Sequence, residues 1–343
     1  MQALVLRSYH DLVVEEIPQP SIAADEVLVA VKACGICGSD VHGMDGSTGR
    51  RRPPIVMGHE AAGEIARVGG RVHAWKVGDR VTFDSTIYCG ECAFCRRGEV
   101  NLCNRRRVLG VSCEDYRQPG AFAEFVAVPQ RILYRLPASL SYEHAALIEP
   151  FTIALHAVRR KPVNVNDTAV IIGCGMIGLA LLQTARIAGF GRIFAIDTAA
   201  DRLVQATKLG AHATINSGTS DAGTEIQRLT DGCGADQVFE AVGLPATANL
   251  AVRSARKGGA VTLVGNVAAT VDLPLQIVVT RELTLFGSCA SAGEYPACLD
   301  LMSRGLLDPA PLLSAVAPLR EGAAWFERLR ARERGLLKVV LVP

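Results

Sequence analysis

The pattern of hydrophobic and polar positions changes rhythm near residue 165. Before it, short stretches alternate or are rich in β-branched residues between Gly, Pro and Asp: "EVLVAVKA" (26–33), "EIARVG" (64–69), "DRVTF" (79–83) and "FAEFVAVP" (122–129). Such runs between turn formers predict short strands. After it, apolar strands alternate with helical segments: "TAVIIG" (168–173), "RIFAID" (192–197), "HATINS" (212–217), "ADQVFEAVG" (235–243), "AVTLVG" (260–265) and "LTLFGS" (283–288). Between the first two, "MIGLALLQTARIAG" has a helical period, and "DRLVQATKLG" (201–210) combines helix formers with a Gly stop. Strand–helix alternation sustained over about 120 residues predicts βαβ units and a parallel, doubly wound sheet. The last residues, "LKVVLVP" (337–343), return to a strand pattern. No internal repeat or low-complexity segment interrupts it.

One turn in the second half carries chemistry. "VIIGCGMIGLA" places Gly173, Gly175 and Gly178 as G-x-G-x-x-G directly after a strand and at the opening of a helix. The first Gly permits a tight turn, the second a close approach to a pyrophosphate, and the third close helix packing, so that Met176, Ile177 and the first-turn amides face phosphates. Asp197 ends the next strand, nineteen residues beyond Gly178, where an acid accepts bonds from both adenosine-ribose hydroxyls. A 2′-phosphate would be repelled there, and Thr198 follows in place of a cation. The expected cofactor is NAD, with nearby Arg202 the one residue favouring NADP.

Composition narrows the remaining classes. A length of 343 residues leads one to expect two domains, and 49% hydrophobic with 5% aromatic residues fits a compact α/β protein. Thirty-six basic against 34 acidic side chains leave a net charge of +2, which gives no global attraction for nucleic acid or an anionic membrane. The longest stretch without polar side chains, 169–182, has fourteen residues and three Gly, too few to span a bilayer. The N-terminal residues turn polar too early for a signal peptide, so a cytoplasmic location is expected. In that reducing compartment eleven cysteines point to metal binding before disulfides.

Two constellations follow. Cys89, Cys92, Cys95 and Cys103, spaced C-x2-C-x2-C-x7-C, can close a tetrahedral zinc shell with no open position, which makes the site structural. The closing C-x3-C-P of a ferredoxin run is absent, and the loop has no stacking aromatics beyond Phe94. The second is "CGICGSDVH" (34–42) with "GHE" (58–60). Cys34 and Cys37 follow a strand in the β-rich half, the wrong setting for a thioredoxin-like pair. A Cys, a His and a carboxylate from separate loops suit a catalytic zinc with room for substrate.

Taken in order, "CGICGSDVH", "GHEAAGEIARVG", "VGDRV", the four-Cys loop, "GAFAEFVAVP", "IEPFTIALHAV", the Gly-rich turn and "LLKVVLVP" resemble the zinc-dependent medium-chain alcohol dehydrogenases, in the branch of the sorbitol, threonine and galactitol-phosphate dehydrogenases. The resemblance implies a β-rich GroES-like catalytic domain over 1–150 and 290–343 and a Rossmann NAD-binding domain over 151–289. It also implies one catalytic and one structural zinc per chain. Cys37 and His59 match catalytic zinc ligands, and a carboxylate, Glu60 or Glu149, is the third; which of the two stays open. Asp40 matches the acid that orients the zinc-bound His. Ser39 and His42 match the relay that carries the substrate proton to solvent.

More loosely, Thr152, Val264 and Gly265 lie where relatives contact the nicotinamide. Arg202 lies where a basic side chain lines the ribose, and Lys338 where one approaches the pyrophosphate. The resemblance further implies a homo-tetramer or dimer.

The function expected is hydride transfer to NAD from a secondary alcohol of a polyol, sugar acid or related hydroxy compound. A phosphorylated polyol or L-threonine is the alternative substrate. Arg50, Arg51 and Arg52 are candidates for recognising a substrate phosphate or carboxylate, and Tyr116 is a further candidate. A reading from another class, a non-catalytic zinc- and NAD-binding regulatory protein, has no need of Ser39, His42, His59 and Glu149 together.

Overall fold

The computed structural model describes residues 1–113 and 116–343. The chain forms two compact units, one of Met1–Glu149, Ser291–Gly305 and Pro309–Pro343, the other of Pro150–Ala290 and Leu306–Asp308.

The first unit is built around the strand Glu26–Gly35. It pairs antiparallel with Glu60–Val68, Phe125–Pro129 and Lys338–Val342. Arg80–Phe83 and Leu133–Arg135 continue the sheet on one side, and Leu313–Pro318 closes the other by pairing parallel with Lys338–Val342. The core beneath collects Leu4, Leu6, Val27, Val29, Phe83, Val128 and Leu341. Phe122 and Phe326 meet there edge to face, with centroids 5.7 Å apart, the arrangement that the ring quadrupoles favour.

That pairing sets up the site. Gly35 lies opposite Glu60 in the ladder, and a Cβ at position 35 would stand 2.5 Å from Glu60 Oε2. A glycine here therefore leaves the space that a buried carboxylate fills.

The second unit is the doubly wound sheet that the alternation predicts. Across it run Ala213–Asn216, Arg192–Asp197, Thr168–Ile172, Ala235–Glu240, Ala255–Leu263 and Thr284–Gly287, all parallel. The chain starts in the middle and winds outward in both directions, so the order reverses beside Thr168–Ile172. Ligands bind such sheets at the carboxyl ends of the strands at this reversal. Thr168–Ile172 is buried at every residue, which explains its unbroken apolar run. The helix Met176–Ala188 follows and stops at Gly189, whose φ of 100° is a left-handed cap.

Candidate active site

Cys37 caps the short helix Gly38–Gly43, its Sγ accepting the Ser39 amide at 3.5 Å. His59 and Glu60 arrive from the start of the strand Glu60–Val68, after Gly58 turns the chain with φ 92°. The three donors, Cys37 Sγ, a His59 nitrogen and a Glu60 oxygen, lie within 4.8 Å of one another.

Several features of this cluster fit a cation. His59 Nδ1 is 3.4 Å from Asp40 Oδ2, so that in the neutral imidazole Nε2 is the nitrogen that would take a ligand. Glu60 Oε1 is buried with no hydrogen-bond partner. Burial alone would lower the pKa of His59, yet Asp40 and Cys37 outweigh it and hold the imidazole well above its ordinary value. The surrounding groups thus favour positive charge at this point, and Cys37, His59 and Glu60 are the residues that would hold zinc.

Glu149, in the first turn of the helix Ile148–Val158, stands outside that 4.8 Å set. Burial, with Glu60 second, pushes its pKa up to about 8. Burial and the repulsion of a neighbouring carboxylate both favour the protonated form, and a cation bound here would reverse that. Ser39 Oγ donates to Cys37 Sγ at 3.3 Å, and both Ser39 and His42 are exposed.

Two side chains are not where the resemblance puts them. Lys338 is 2% exposed, and its ammonium donates to Glu60 Oε2 at 2.6 Å and to the Ile36 carbonyl at 3.0 Å. Its ammonium is thus committed to Glu60 and the Ile36 carbonyl, in place of reaching for a pyrophosphate. Arg51, one of the substrate candidates of the 50–52 loop, is 3% exposed. Its Nε and NH2 donate to Asp40 Oδ1 at 3.1 and 2.8 Å, and NH2 also donates to Ser39 Oγ at 3.2 Å. Arg50 and Arg52 remain exposed on the loop. Tyr116 opens the strand Tyr116–Gln118, paired with Val111–Cys113, and is half-buried.

Asp84, Ser291 and Tyr295 carry no motif and went unread in the sequence. Asp84 is buried, accepting the Thr86 amide at 2.8 Å and the Ser291 hydroxyl at 3.3 Å, and burial pushes its pKa up to about 6. Tyr295 stacks on Tyr134 at 4.7 Å, its hydroxyl buried without a hydrogen-bond partner. Both lie within electrostatic range of Glu149.

The four-cysteine loop has closed on itself. Cys95 Sγ lies 3.8 Å from Cys89 Sγ and 3.5 Å from Cys92 Sγ, and all four sulfurs fall within 4.8 Å. These separations are far longer than a disulfide. They match the edge of a tetrahedron with metal–sulfur bonds of about 2.3 Å, which is about 3.8 Å. Backbone amides of Cys89 and Arg105 donate to Cys103 Sγ, and that of Cys92 to Cys89 Sγ, as thiolates require. The loop fits a zinc ion with no open position.

In the second unit the glycines act by close approach. A Cβ on Gly178 would stand 1.7 Å from the Gly173 carbonyl oxygen, whereas the space beside Gly175 is open, as a pyrophosphate needs. Met176 and Ile177 begin the helix beyond. Asp197 accepts the amides of Cys174 at 2.7 Å and Ala199 at 2.8 Å, leaving one lone pair on each oxygen for ribose hydroxyls. Arg202 lies 3.9 Å from Asp197 Oδ2. Val264 and Gly265 follow the strand Ala255–Leu263, both bonded to the Glu240 carbonyl, and Thr152 is buried in the helix Ile148–Val158.

Residues 23–138 match the alcohol dehydrogenase GroES-like domain, and residues 177–304 match the zinc-binding dehydrogenases. The chain is 36% identical to a sorbitol dehydrogenase of Bacillus subtilis, over all of its own length and 97% of that protein. It is 34% identical to a D-arabitol-phosphate dehydrogenase of Enterococcus avium, over 94% of this chain and 91% of that one. Among solved structures, an alcohol dehydrogenase from Thermus sp. ATN1 superposes with a TM-score of 0.94 at 33% identity, covering 100% of this chain and 99% of the other. The chain belongs to the zinc-dependent medium-chain alcohol dehydrogenase family. It is an oxidoreductase of the polyol-dehydrogenase type, with a GroES-like unit and a Rossmann unit, and it uses zinc and a nicotinamide dinucleotide.

Proposed function

We propose that the chain oxidises a secondary alcohol of a neutral polyol with NAD. The observation that carries this is the convergence of Cys37, His59 and Glu60 within 4.8 Å, with the Ser39 hydroxyl 3.3 Å from Cys37 Sγ. Zinc, when bound, supplies Lewis acidity that makes the substrate hydroxyl acidic near neutral pH. Asp40 orients His59, and Lys338 anchors Glu60. Glu149, the second buried carboxylate that interacts with Glu60, is the one that would trade places with it as third ligand. Ser39 takes the substrate proton, and exposed His42 passes it to solvent, an end of the relay that an imidazole suits. The second zinc stiffens the lobe of Cys89, Cys92, Cys95 and Cys103.

Asp197 supports NAD, since a carboxylate repels a 2′-phosphate, and Arg202 beside it is already engaged. The same reasoning selects a neutral substrate: the cation nearest the cluster from the 50–52 loop, Arg51, is committed to Asp40 and Ser39. Exposed Arg50 and Arg52 support a second reading, a phosphorylated polyol.

Initial rates of NADH formation with sorbitol, xylitol, their phosphates, aldonic acids and L-threonine, each with NAD and NADP, test this. Turnover of neutral polyols that vanishes on zinc removal is expected. Preference for the phosphates selects the second reading, and no turnover by a zinc- and NADH-loaded protein selects the non-catalytic one. E149Q and E60Q, compared by zinc content, assign the third ligand.

A homo-oligomer completes the proposal. The edge strand Thr284–Gly287 is unpaired on one side, and Leu275 at 70% and Val279 at 65% exposure lie on the helix just before it. A dimer or tetramer covering this edge is expected by light scattering. No helix among the described residues is long and apolar enough to cross a membrane. Thiols kept reduced at Cys34, Cys174 and Cys233 support a cytoplasmic location.

A further inference from the structure

The structure assigns to Arg51 a positioning role for the proton relay: its guanidinium holds Asp40 through Nε and NH2, and the same NH2 aims the Ser39 hydroxyl. The inference rests on Ser39 being the relay.

Arg51 is a charged side chain at 3% exposure, in a place prepared for it. A Cβ on Gly43 would stand 2.3 Å from Arg51 Cγ, so the helix Gly38–Gly43 opens a slot for the arginine stem. A buried guanidinium persists only when its donors are satisfied. Here NH1 donates to the Arg50 carbonyl at 3.2 Å, Nε to Asp40 Oδ1 at 3.1 Å, and NH2 to both Asp40 Oδ1 at 2.8 Å and Ser39 Oγ at 3.2 Å.

The consequence for Ser39 is directional. A hydroxyl has one proton and two lone pairs. Arg51 occupies one lone pair, and the proton points to Cys37 Sγ at 3.3 Å. One lone pair is left to receive the substrate proton, while the serine's own proton turns away from Cys37 Sγ and leaves by way of His42 to solvent. A permanent positive charge 3.2 Å from the oxygen also favours the instant at which that proton has left. Reach matters, because NH2 alone lies within hydrogen-bond distance of both Asp40 Oδ1 and Ser39 Oγ, and a lysine ammonium on its shorter stem stops before that point.

The test uses the zinc-loaded enzyme with sorbitol or xylitol, whichever the substrate panel shows to be turned over, and compares S39A, R51K, R51M and S39A/R51K. Zinc loss to a chelator reads the Asp40 face without reference to activity, and kcat with its solvent deuterium isotope effect reads the Ser39 face. R51K keeps a cation for Asp40 but cannot span to Ser39. It is expected to retain zinc like the parent, to lose roughly tenfold in kcat with KM within about twofold, and to show a larger solvent isotope effect. R51M loses zinc faster as well. In S39A/R51K the arginine change adds nothing beyond S39A.

An R51K enzyme with unaltered kcat overturns the inference. So does one whose kcat loss multiplies with that of S39A, or merely follows its zinc loss. Parent-like S39A sinks the relay reading itself, whatever Arg51 does, so the two failures are distinct. If R51M does not fold, R51K and the cycle still decide.

Discussion

Lys338 Nζ and Glu60 Oε2 stand 2.6 Å apart, each at most 2% exposed, although 278 residues separate them in the chain. Burial alone would lower the lysine pKa, but Glu60 and Cys37 outweigh it and raise it. The last strand thus returns to the cluster of Cys37, His59 and Glu60 to neutralise its carboxylate. Removing one partner of a buried pair leaves the other uncompensated. K338M is therefore expected to cost about 3–5 kcal/mol in urea unfolding of the zinc-loaded protein. An unchanged midpoint would show the pair to be dispensable.

Asp84 gives a pH signature of definite sign. Burial raises its pKa to about 6 in the folded chain, above the 3.8 of an exposed carboxyl. The folded state therefore holds the proton more tightly between these values, and its contribution to stability is complete below pH 4 and lost as pH rises through 6. A difference of 2.2 units corresponds to about 3 kcal/mol. Unfolding free energies of the parent relative to D84N, from pH 4 to 7, are expected to fall by about that amount. A flat difference would place the Asp84 pKa near its ordinary value.

The four-cysteine loop predicts a separable metal. C95S is expected to bring zinc content from two per chain to one, with faster proteolysis within residues 89–103. A structural site of this kind contributes to folding, and a loss of roughly 3 kcal/mol lowers Tm by roughly 6–10 °C. Retention of both metals would show that three sulfurs suffice.

Gly178 tolerates no side chain, because a Cβ there collides with the Gly173 carbonyl at 1.7 Å. G178A must push the helix Met176–Ala188 away from the turn. A cost of about 1–3 kcal/mol and a loss of NADH binding by fluorescence titration are expected, with zinc content unchanged. Parent-like affinity would mean that the dinucleotide does not use this turn.

Asp197 tests the cofactor choice. D197A removes the charge that opposes a 2′-phosphate and leaves Arg202 beside the site. The ratio of kcat/KM for NAD over NADP is expected to fall by roughly 10–100-fold, about 1.4–2.7 kcal/mol. An unaltered ratio would assign the discrimination to another residue.

The second unit was legible because its signals are local. Thr168–Ile172 reads as a buried parallel strand from its apolar run, and the glycine pattern directly after it marks the turn. The four sulfurs, too, were legible from spacing, since a span of fifteen residues from Cys89 to Cys103 leaves a loop little choice but to bring them together. Arg51 and Lys338 were misread for one reason. Their sequence neighbours show only a basic loop and a terminal strand, and the partners that neutralise them are 11 and 278 residues away. Asp84 and Tyr295 gave no signal, because burial and stacking are properties of the assembled sheet and helix.

By itself, the sequence determined what each segment must become: strand and helix periods, the turn that only glycines permit, and the sulfur loop, all governed by forces acting within a few residues. Tertiary structure alone decided how charge is shared around the cluster. It gave Lys338 to Glu60 and Arg51 to Asp40 and Ser39, and it buried Glu149 and Asp84 with raised pKa values. Electrostatic pairing depends on distance and burial in the folded chain, and neither is written in the spacing of residues along it.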